Sequence, residues 1–318
     1  MILILSNKWD LTVDLVVLEL RKRGLKFIRV NTEDLPSWAA VARFPGGEIS
    51  LSFNDGKALY AADVTAVWNR RPGHVFDDTP PELRPSEATQ KFVTDQWFAW
   101  LEALQLQEGV RWVNHPTANS LMENKIRQLK LASQLGFSIP DTLITNDVFV
   151  LREWMGRLNG QAVCRALYSP LIEEHGDDRF IFTNLLENIP DDLDGSLKIA
   201  PVIFQHALLP KIDYRITVVG SRVFSVRVGL HGEVLDWRTA STDVTFTLCE
   251  LPMAIEGRCI QYVGAAGLSF GAIDLVEFND EFHFLEINPN GEWGWLQRPH
   301  GIPIAAALCD LLSGGEPQ

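Results

Sequence analysis

The sequence predicts an α/β (α+β) protein of more than one domain, and three observations carry that reading. A strand at 2–5, a helix at 11–23 and a strand at 26–30 open the chain, a β-α-β order that implies a parallel pair with a right-handed crossover. Two β-rich segments, 215–219 and 222–228, read as antiparallel strands joined at Gly220-Ser221. The stretch 271–295, GAIDLVEFNDEFHFLEINPNGEWGW, reads as two further strands joined by a turn at Asn279-Asp280. With 318 residues the chain has room for two or three domains and a large core.

The elements follow in order. The helix at 11–23 places Leu15, Val16, Leu18 and Leu20 at helical spacing and stops at Gly24. The turn before it, Ser6-Asn7-Lys8-Trp9, has no glycine, so the GxGxxG dinucleotide fingerprint is absent. Asn54-Asp55-Gly56 is a hairpin turn between 48–53 and 58–60. A strand at 64–68 runs into Asn69-Arg70-Arg71-Pro72-Gly73, whose arginines meet either solvent or an anion or carboxylate. The helix at 87–107 carries Phe92, Val93, Trp97, Phe98, Trp100, Leu101 and Leu104, enough to call for packing on more than one side. A first domain closes near residue 115.

Ser120-Leu121-Met122-Glu123 reads as a capping box opening a helix at 121–135, striped by Met122, Ile126, Leu129, Ala132 and Leu135. Lys125 falls in its first turn, where the helix dipole favours anions. It is either a mild propensity mismatch or a cation kept for a ligand. A helix at 148–158, a strand at 162–167 containing Arg165, a polar loop at 168–179, a helix at 252–266 and a terminal helix at 301–312 complete the reading.

Composition narrows the function. Hydrophobic content of 46% and charged content of 22% are those of a globular protein, and a net charge of −13 argues against nonspecific binding to nucleic acid or anionic membrane. The four cysteines have no CxxC spacing, so they read as buried free thiols in a reducing cytoplasm. No basic n-region with a long apolar run opens the chain, and no run of about 18 apolar residues exists, so neither a signal peptide nor a membrane span is expected. Most of the ten tryptophans read as core.

The chemistry-bearing stretch is the C-terminal hairpin. Glu286 and Asn288 are two apart and share a strand face. Asp274 joins that face if the loop has three residues, Asn279 to Glu281; a two-residue loop puts the acids on opposite faces. Three oxygen donors there suit Mg²⁺, which favours carboxylates shared with phosphate. The alternative is an ordinary solvated hairpin end. No GxSxG, HExxH or GxxxxGK[ST] is present. Lysine, arginine and a magnesium face together suit phosphoryl transfer.

Asn124-Lys125, LKLASQLGFSIPDTLIT, the Phe204-Gln205 pair, KIDYRITVVGSRVF and GAIDLVEFNDEFHFLEINPNGEW together resemble an ATP-grasp ligase over essentially the whole chain. Trp68-Asn69-Arg70-Arg71-Pro72, Asp236-Trp237-Arg238 and the close NPNGEWGW resemble, more narrowly, the ATP-grasp ribosomal peptide maturases, the graspetide or microviridin-type macrocyclases. The resemblance implies an ATP-grasp fold with a Rossmann-like pre-ATP-grasp domain at 1–115, a central subdomain at 116–200 and a magnesium-bearing C-terminal subdomain at 201–318. It implies ATP and Mg²⁺ as cofactors, a ribosomal precursor peptide (leader and core) as partner, a homodimer and a cytoplasmic location. It implies Asp274, Glu286 and Asn288 as metal ligands, and Lys125, Arg165, Gln205, Lys211 and Asp213 at the nucleotide. Arg215 and Arg227 are implied at the transferred phosphate, and Asp236 and Arg238 at the substrate peptide. Arg165 stands where the family usually has lysine, and the loop after it holds only Gly176. The alternatives are a RimK-like amino-acid ligase and a catalytically weakened ATP- or peptide-binding module.

Overall fold

The computed structural model describes residues 1–158, 161–168, 171–172, 179–180, 183–190, 193–230 and 244–315. Its strands form three principal sheets and two small ones. The first sheet runs Phe27–Asn31, Ile2–Ser6, Ala66–Asn69, Arg111–Val113, with every neighbouring pair parallel. The helix Leu11–Lys22 makes the first crossover, its start capped by the Asp10 side chain accepting from the Thr12 backbone N–H. Gly24 follows at φ +66°. The segment 39–60 folds into a separate antiparallel meander.

A middle antiparallel sheet is ordered Asn184–Leu186, Ala162–Arg165, Val202–His206, Thr142–Thr145. Its core is small and aromatic, with Trp154 and Phe204 buried against Leu151, Val148 and Leu197. The strand Val202–His206 lies beyond the expected boundary at 200, yet hydrogen-bonds to Ala162–Arg165 and Thr142–Thr145. The third sheet has five strands, Val244–Leu248, Arg222–Leu230, Ile212–Val219, Phe270–Phe278, Glu281–Asn288, all antiparallel. One of its faces packs Ile216, Val218 and Ile273 on the helices Lys125–Gln134 and Met253–Ala265. The terminal helix Ile304–Ser313 returns to the first domain, burying Leu308 with Val13, Val16 and Trp68.

Three local expectations are corrected. The single helix at 121–135 is two helices, Pro116–Met122 and Lys125–Gln134. Pro116 at a first-turn position begins the earlier one, where its missing N–H costs nothing. Asn124 caps the later one by accepting from the Arg127 backbone N–H, so the Ser120 to Glu123 capping box does not form. The second correction concerns the stripe: Ile126 is 50% exposed, whereas Gln128 is buried beside Leu129 and Ala132. Third, the helix Glu87–Glu102 packs from one side, with Phe92 64% exposed and Trp97, Phe98 and Trp100 only partly buried. All four cysteines are free, but only Cys259 and Cys309 are buried; burial pushes the Cys259 thiol up to about 12.

The C-terminal hairpin reaches the expected alignment by another route. Its loop has two residues, Asn279 and Asp280, both at positive φ (51° and 60°), with Phe278 opposite Glu281. Asn and Asp tolerate that left-handed backbone, which matches strand twist in a tight hairpin. That loop alone would set the acids on opposite faces. A bulge between Asp274 and Leu275 shifts the register, so Leu275 faces Phe284 while Asp274 faces Glu286. Leu285 is the extra residue, and the acids end on one face.

Candidate functional site

Register builds the site as a row. Val226, Arg215, Asp274 and Glu286 are cross-strand partners on four consecutive strands, so their side chains share one face. Arg215 donates from Nη1 to Asp274 Oδ1 at 2.9 Å. Both are nearly buried, at 6% and 8% exposure, so each satisfies a charge that burial alone would penalise. Asn288, opposite Ala272, continues the same face two residues beyond Glu286. It is exposed, and its Oδ1 accepts from the Asn290 backbone N–H at 2.9 Å.

Two cations reach the row, Lys125 from the start of the helix Lys125–Gln134 and Arg165 from the middle sheet. Lys125 Nζ lies 3.2 Å from Glu286 Oε2, and Arg165 Nη1 lies 3.4 Å from the same oxygen. Lys125 also donates to the Ala166 carbonyl at 3.3 Å. Arg165 Nη2 donates to Gln205 Oε1 at 2.6 Å and to the Leu285 carbonyl at 3.2 Å, the bulged residue. Gln205 in turn donates to Thr142 Oγ1 at 2.9 Å. Lys211 and Asp213 form an ion pair at 2.6 Å. Between the two sheets lies a cleft of about 660 Å³ whose lining includes apolar Val163, Leu208 and Val276 as well as Arg165, Asp274 and Glu286. A lining that joins apolar walls to cations and carboxylates suits a ligand with an apolar part and a polyanionic part.

The donor set fits a shared divalent ion. Asp274 and Glu286 supply hard carboxylates across one strand pair and Asn288 an amide oxygen on the same face. Mg²⁺ takes one or two carboxylates and completes its shell with phosphate and water. Among the described residues no group of three or more His, Cys, Asp or Glu is placed to hold a metal ion.

One sequence-nominated residue lies elsewhere. Arg227 pairs with Tyr214 and Thr247, one position out of step with Val226, so it occupies the sheet face opposite Arg215. The two arginines expected together at the phosphate thus lie on opposite faces, a consequence of strand alternation. Asp236 and Arg238 lie outside the described residues.

Of the groups that hold the site in place, the sequence reading missed Asn114 and left the partner of Arg70 open. Asn114, 2% exposed, donates to the Phe270 and Pro289 carbonyls, each at 2.9 Å, and accepts from the Ser269 and Phe270 N–H groups at 2.8 and 2.9 Å. Arg70, 1% exposed, pairs with Asp10 at 2.9 Å and Glu292 at 2.6 Å, and donates to the Asn290 and Gly291 carbonyls. Arg71 and Thr12 also reach Glu292. The paired arginines thus meet a carboxylate, one of the two outcomes their motif left open. Gly291 packs so closely that an added Cβ would sit 2.3 Å from the Ala272 Cβ and 2.7 Å from Arg215 Nη2. Asn114 and Gln128 had no sequence signal beyond polar residues beside apolar ones.

No protein-family model matches the chain, and no curated protein sequence matches it. Solved structures do. The chain is similar to a RiPP-associated ATP-grasp ligase from Chryseobacterium gregarium, in complex with ADP and a leader and core peptide, at 26% identity and TM-score 0.83 over 100% of this chain and 97% of that one. It is similar to the macrocyclase MdnC from Microcystis aeruginosa MRC, bound with the precursor peptide MdnA, at 26% identity and TM-score 0.84 over 99% of both chains. A RimK domain ATP-grasp protein from Sphaerobacter thermophilus DSM 20745 shares the fold at TM-score 0.57 and 15% identity over 98% of each chain. Along its whole length the chain is thus similar to ATP-grasp ligases of ribosomal peptide maturation, and it sets a carboxylate row beside two cations at a sheet-to-sheet cleft.

Proposed function

We propose that the protein is an ATP- and Mg²⁺-dependent ligase that activates Asp or Glu side chains of a ribosomal precursor peptide. Each activated carboxylate is then joined to a Thr or Ser hydroxyl, or a Lys amine, closing a macrocyclic ester or amide. The observation that carries the reading is the row Arg215, Asp274, Glu286 facing Lys125 and Arg165 across the cleft. Precursor peptides in the similar structures support the substrate class. The proposal extends to domains at 1–115, 116–200 and 201–318, a homodimer and a cytoplasmic setting where ATP is abundant.

Roles follow from position. Asp274, Glu286 and Asn288 would hold Mg²⁺, which when bound neutralises charge on the transferred phosphoryl group. Lys125 and Arg165 release Glu286 and turn to the phosphates. Gln205, Lys211 and Asp213 line the cleft and would contact the nucleotide. A substrate carboxylate oxygen bonds to the γ-phosphorus and ADP departs. The hydroxyl or amine then adds to the acyl carbon, loses its proton, and inorganic phosphate departs. Arg215 remains fixed beside the row and stabilises the oxyanion. Arg227, on the far face, takes no part. No protein nucleophile is needed.

The test is intact mass of a candidate precursor incubated with the enzyme, ATP and Mg²⁺. The native protein should remove one water per ring, and folded Glu286→Gln should form no product. Equal product mass from both proteins would overturn the assignment. Arg165 in place of lysine favours one second reading, a binding module. It predicts peptide-dependent nucleotide binding without phosphate release.

A further inference from the structure

Among the described residues the strand Glu281–Asn288 is the edge of its sheet, and beyond it only a single bridge, Ser138 to His283, pairs with its outward side. An open edge frays and slips, which would be costly in a strand that must hold Glu286 and Asn288 in register. The fold covers this edge piece by piece. Ser138 accepts from the Phe284 N–H at 2.8 Å, and Arg165 takes the Leu285 carbonyl. At Ile287, between Glu286 and Asn288, the whole peptide edge is taken by one side chain. Gln128 Oε1 accepts from the Ile287 N–H at 3.1 Å, and Gln128 Nε2 donates to the Ile287 carbonyl at 3.0 Å. The second proton of that amide goes to the Met122 carbonyl at 2.6 Å. Gln128 is 3% exposed, so its three bonds are made away from water, where losing one is expensive.

We infer that Gln128 is a positioning residue that stands in for a missing strand and fixes Glu286 and Asn288 relative to Lys125. Lys125 and Gln128 are three residues apart on the helix Lys125–Gln134, hence on one helical face. One helical turn therefore presents the cation to Glu286 Oε2 and, through the amide, sets the backbone from which Glu286 projects. Only glutamine offers a donor and an acceptor side by side at this reach; methionine keeps the shape and offers neither. What binds at the row is taken from the ligase reading; the clamp itself does not depend on it.

The experiment compares Gln128→Met with Tyr262→Phe. The Tyr262 hydroxyl donates to the Gln128 backbone carbonyl at 3.0 Å, so its loss weakens the same helix without touching the strand. Two readouts are taken: amide hydrogen exchange at 285–288 in the ligand-free protein, and Mg²⁺ half-saturation of ADP binding by calorimetry. In Gln128→Met the Ile287 amide should lose protection, and the Mg²⁺ half-saturation should rise by about 10-fold, as when outer-shell partners of metal ligands are removed. Tyr262→Phe should lower the melting temperature and change neither readout. If Gln128→Met does not fold, Gln128→Glu serves. It keeps the acceptor but sets a carboxylate against the Ile287 carbonyl, and the same rise is expected. Retained protection with unchanged Mg²⁺ dependence in either folded variant overturns the inference. Mg²⁺-independent or absent ADP binding in the native protein would instead sink the ligase reading and leave the exchange result standing.

Discussion

The hairpin that carries the site is held in opposite ways on its two sides. Toward the middle sheet, Glu286 is met by Lys125 and Arg165 at 3.2 and 3.4 Å, long side chains that are 17% and 11% exposed. Toward the first domain, the backbone at 269–270 and 289–291 is met by Asn114 and Arg70, which are 2% and 1% exposed and bond its carbonyl and N–H groups. The first set converges on the Glu286 carboxylate, and the second holds the main chain, with Arg70 itself fixed by Asp10 and Glu292. Carboxylate partners exchange when an ion or phosphate arrives, because the cations gain as much from phosphate as from Glu286. Main-chain clamps have nothing to exchange with. The molecule therefore separates what must move during turnover from what must not.

Stability mutants test that separation most severely. Asn114→Leu strands two carbonyls and two N–H groups in a buried place, so it should cost about 3 kcal/mol or more. Lys125→Met removes a partly exposed ion pair and should cost about 1 kcal/mol or less. Urea melts of the two variants check this. Equal losses would erase the distinction between the two sides. The next effect is smaller. Arg165→Lys gives up the planar fork that ties Gln205 and Leu285 to Glu286 and leaves a single point donor. Freed from those ties, the row should bind ADP with Mg²⁺ as well as, or a few-fold tighter than, the native protein in calorimetry. A loss beyond about 10-fold, or 1.4 kcal/mol, would mean that the fork itself holds the nucleotide and belongs with the fixed clamps.

What the sequence disclosed divides along the same line. Periodicity and turn chemistry located four of the five strands of the C-terminal sheet and the Gly220-Ser221 turn, because alternation and glycine are local signals; the strand Val244–Leu248 was not foreseen. Motif resemblance nominated Lys125, Arg165, Gln205, Asp274 and Glu286, which the fold brings to one cleft. The bulge at Asp274 and Leu275 was invisible: it adds no signature residue, and a two-residue loop argued against the alignment it creates. Arg227 falls on the other strand face from Arg215, because a motif fixes chain position but not strand face. Asn114 and Gln128 bond main-chain groups 155 or more positions away, and nothing in a linear pattern announces such a partner.

The faintest expected effect concerns acid, and it asks which side loosens first. His283 lies on the edge strand, sharing a face with Val276 at the cleft. Burial holds its imidazole below the ordinary histidine value; Glu281, 3.7 Å away, raises it in partial compensation, and His206 opposes that. In the unfolded chain this histidine takes a proton near pH ~6.5, and in the fold only at lower pH. Between those two values the unfolded state binds more protons, so stability falls as pH falls. The slope from this one group cannot exceed about 1.4 kcal/mol per pH unit. Melts from pH 7.5 to 5.5 should therefore show a loss that His283→Phe partly removes, while hydrogen exchange at 285–288 quickens before exchange at 269–270. The backbone at 269–270, clamped by the neutral Asn114 amide, has no such proton to take up. If acid instead releases both segments together, the two sides of the hairpin form one cooperative unit and the separation drawn above does not hold.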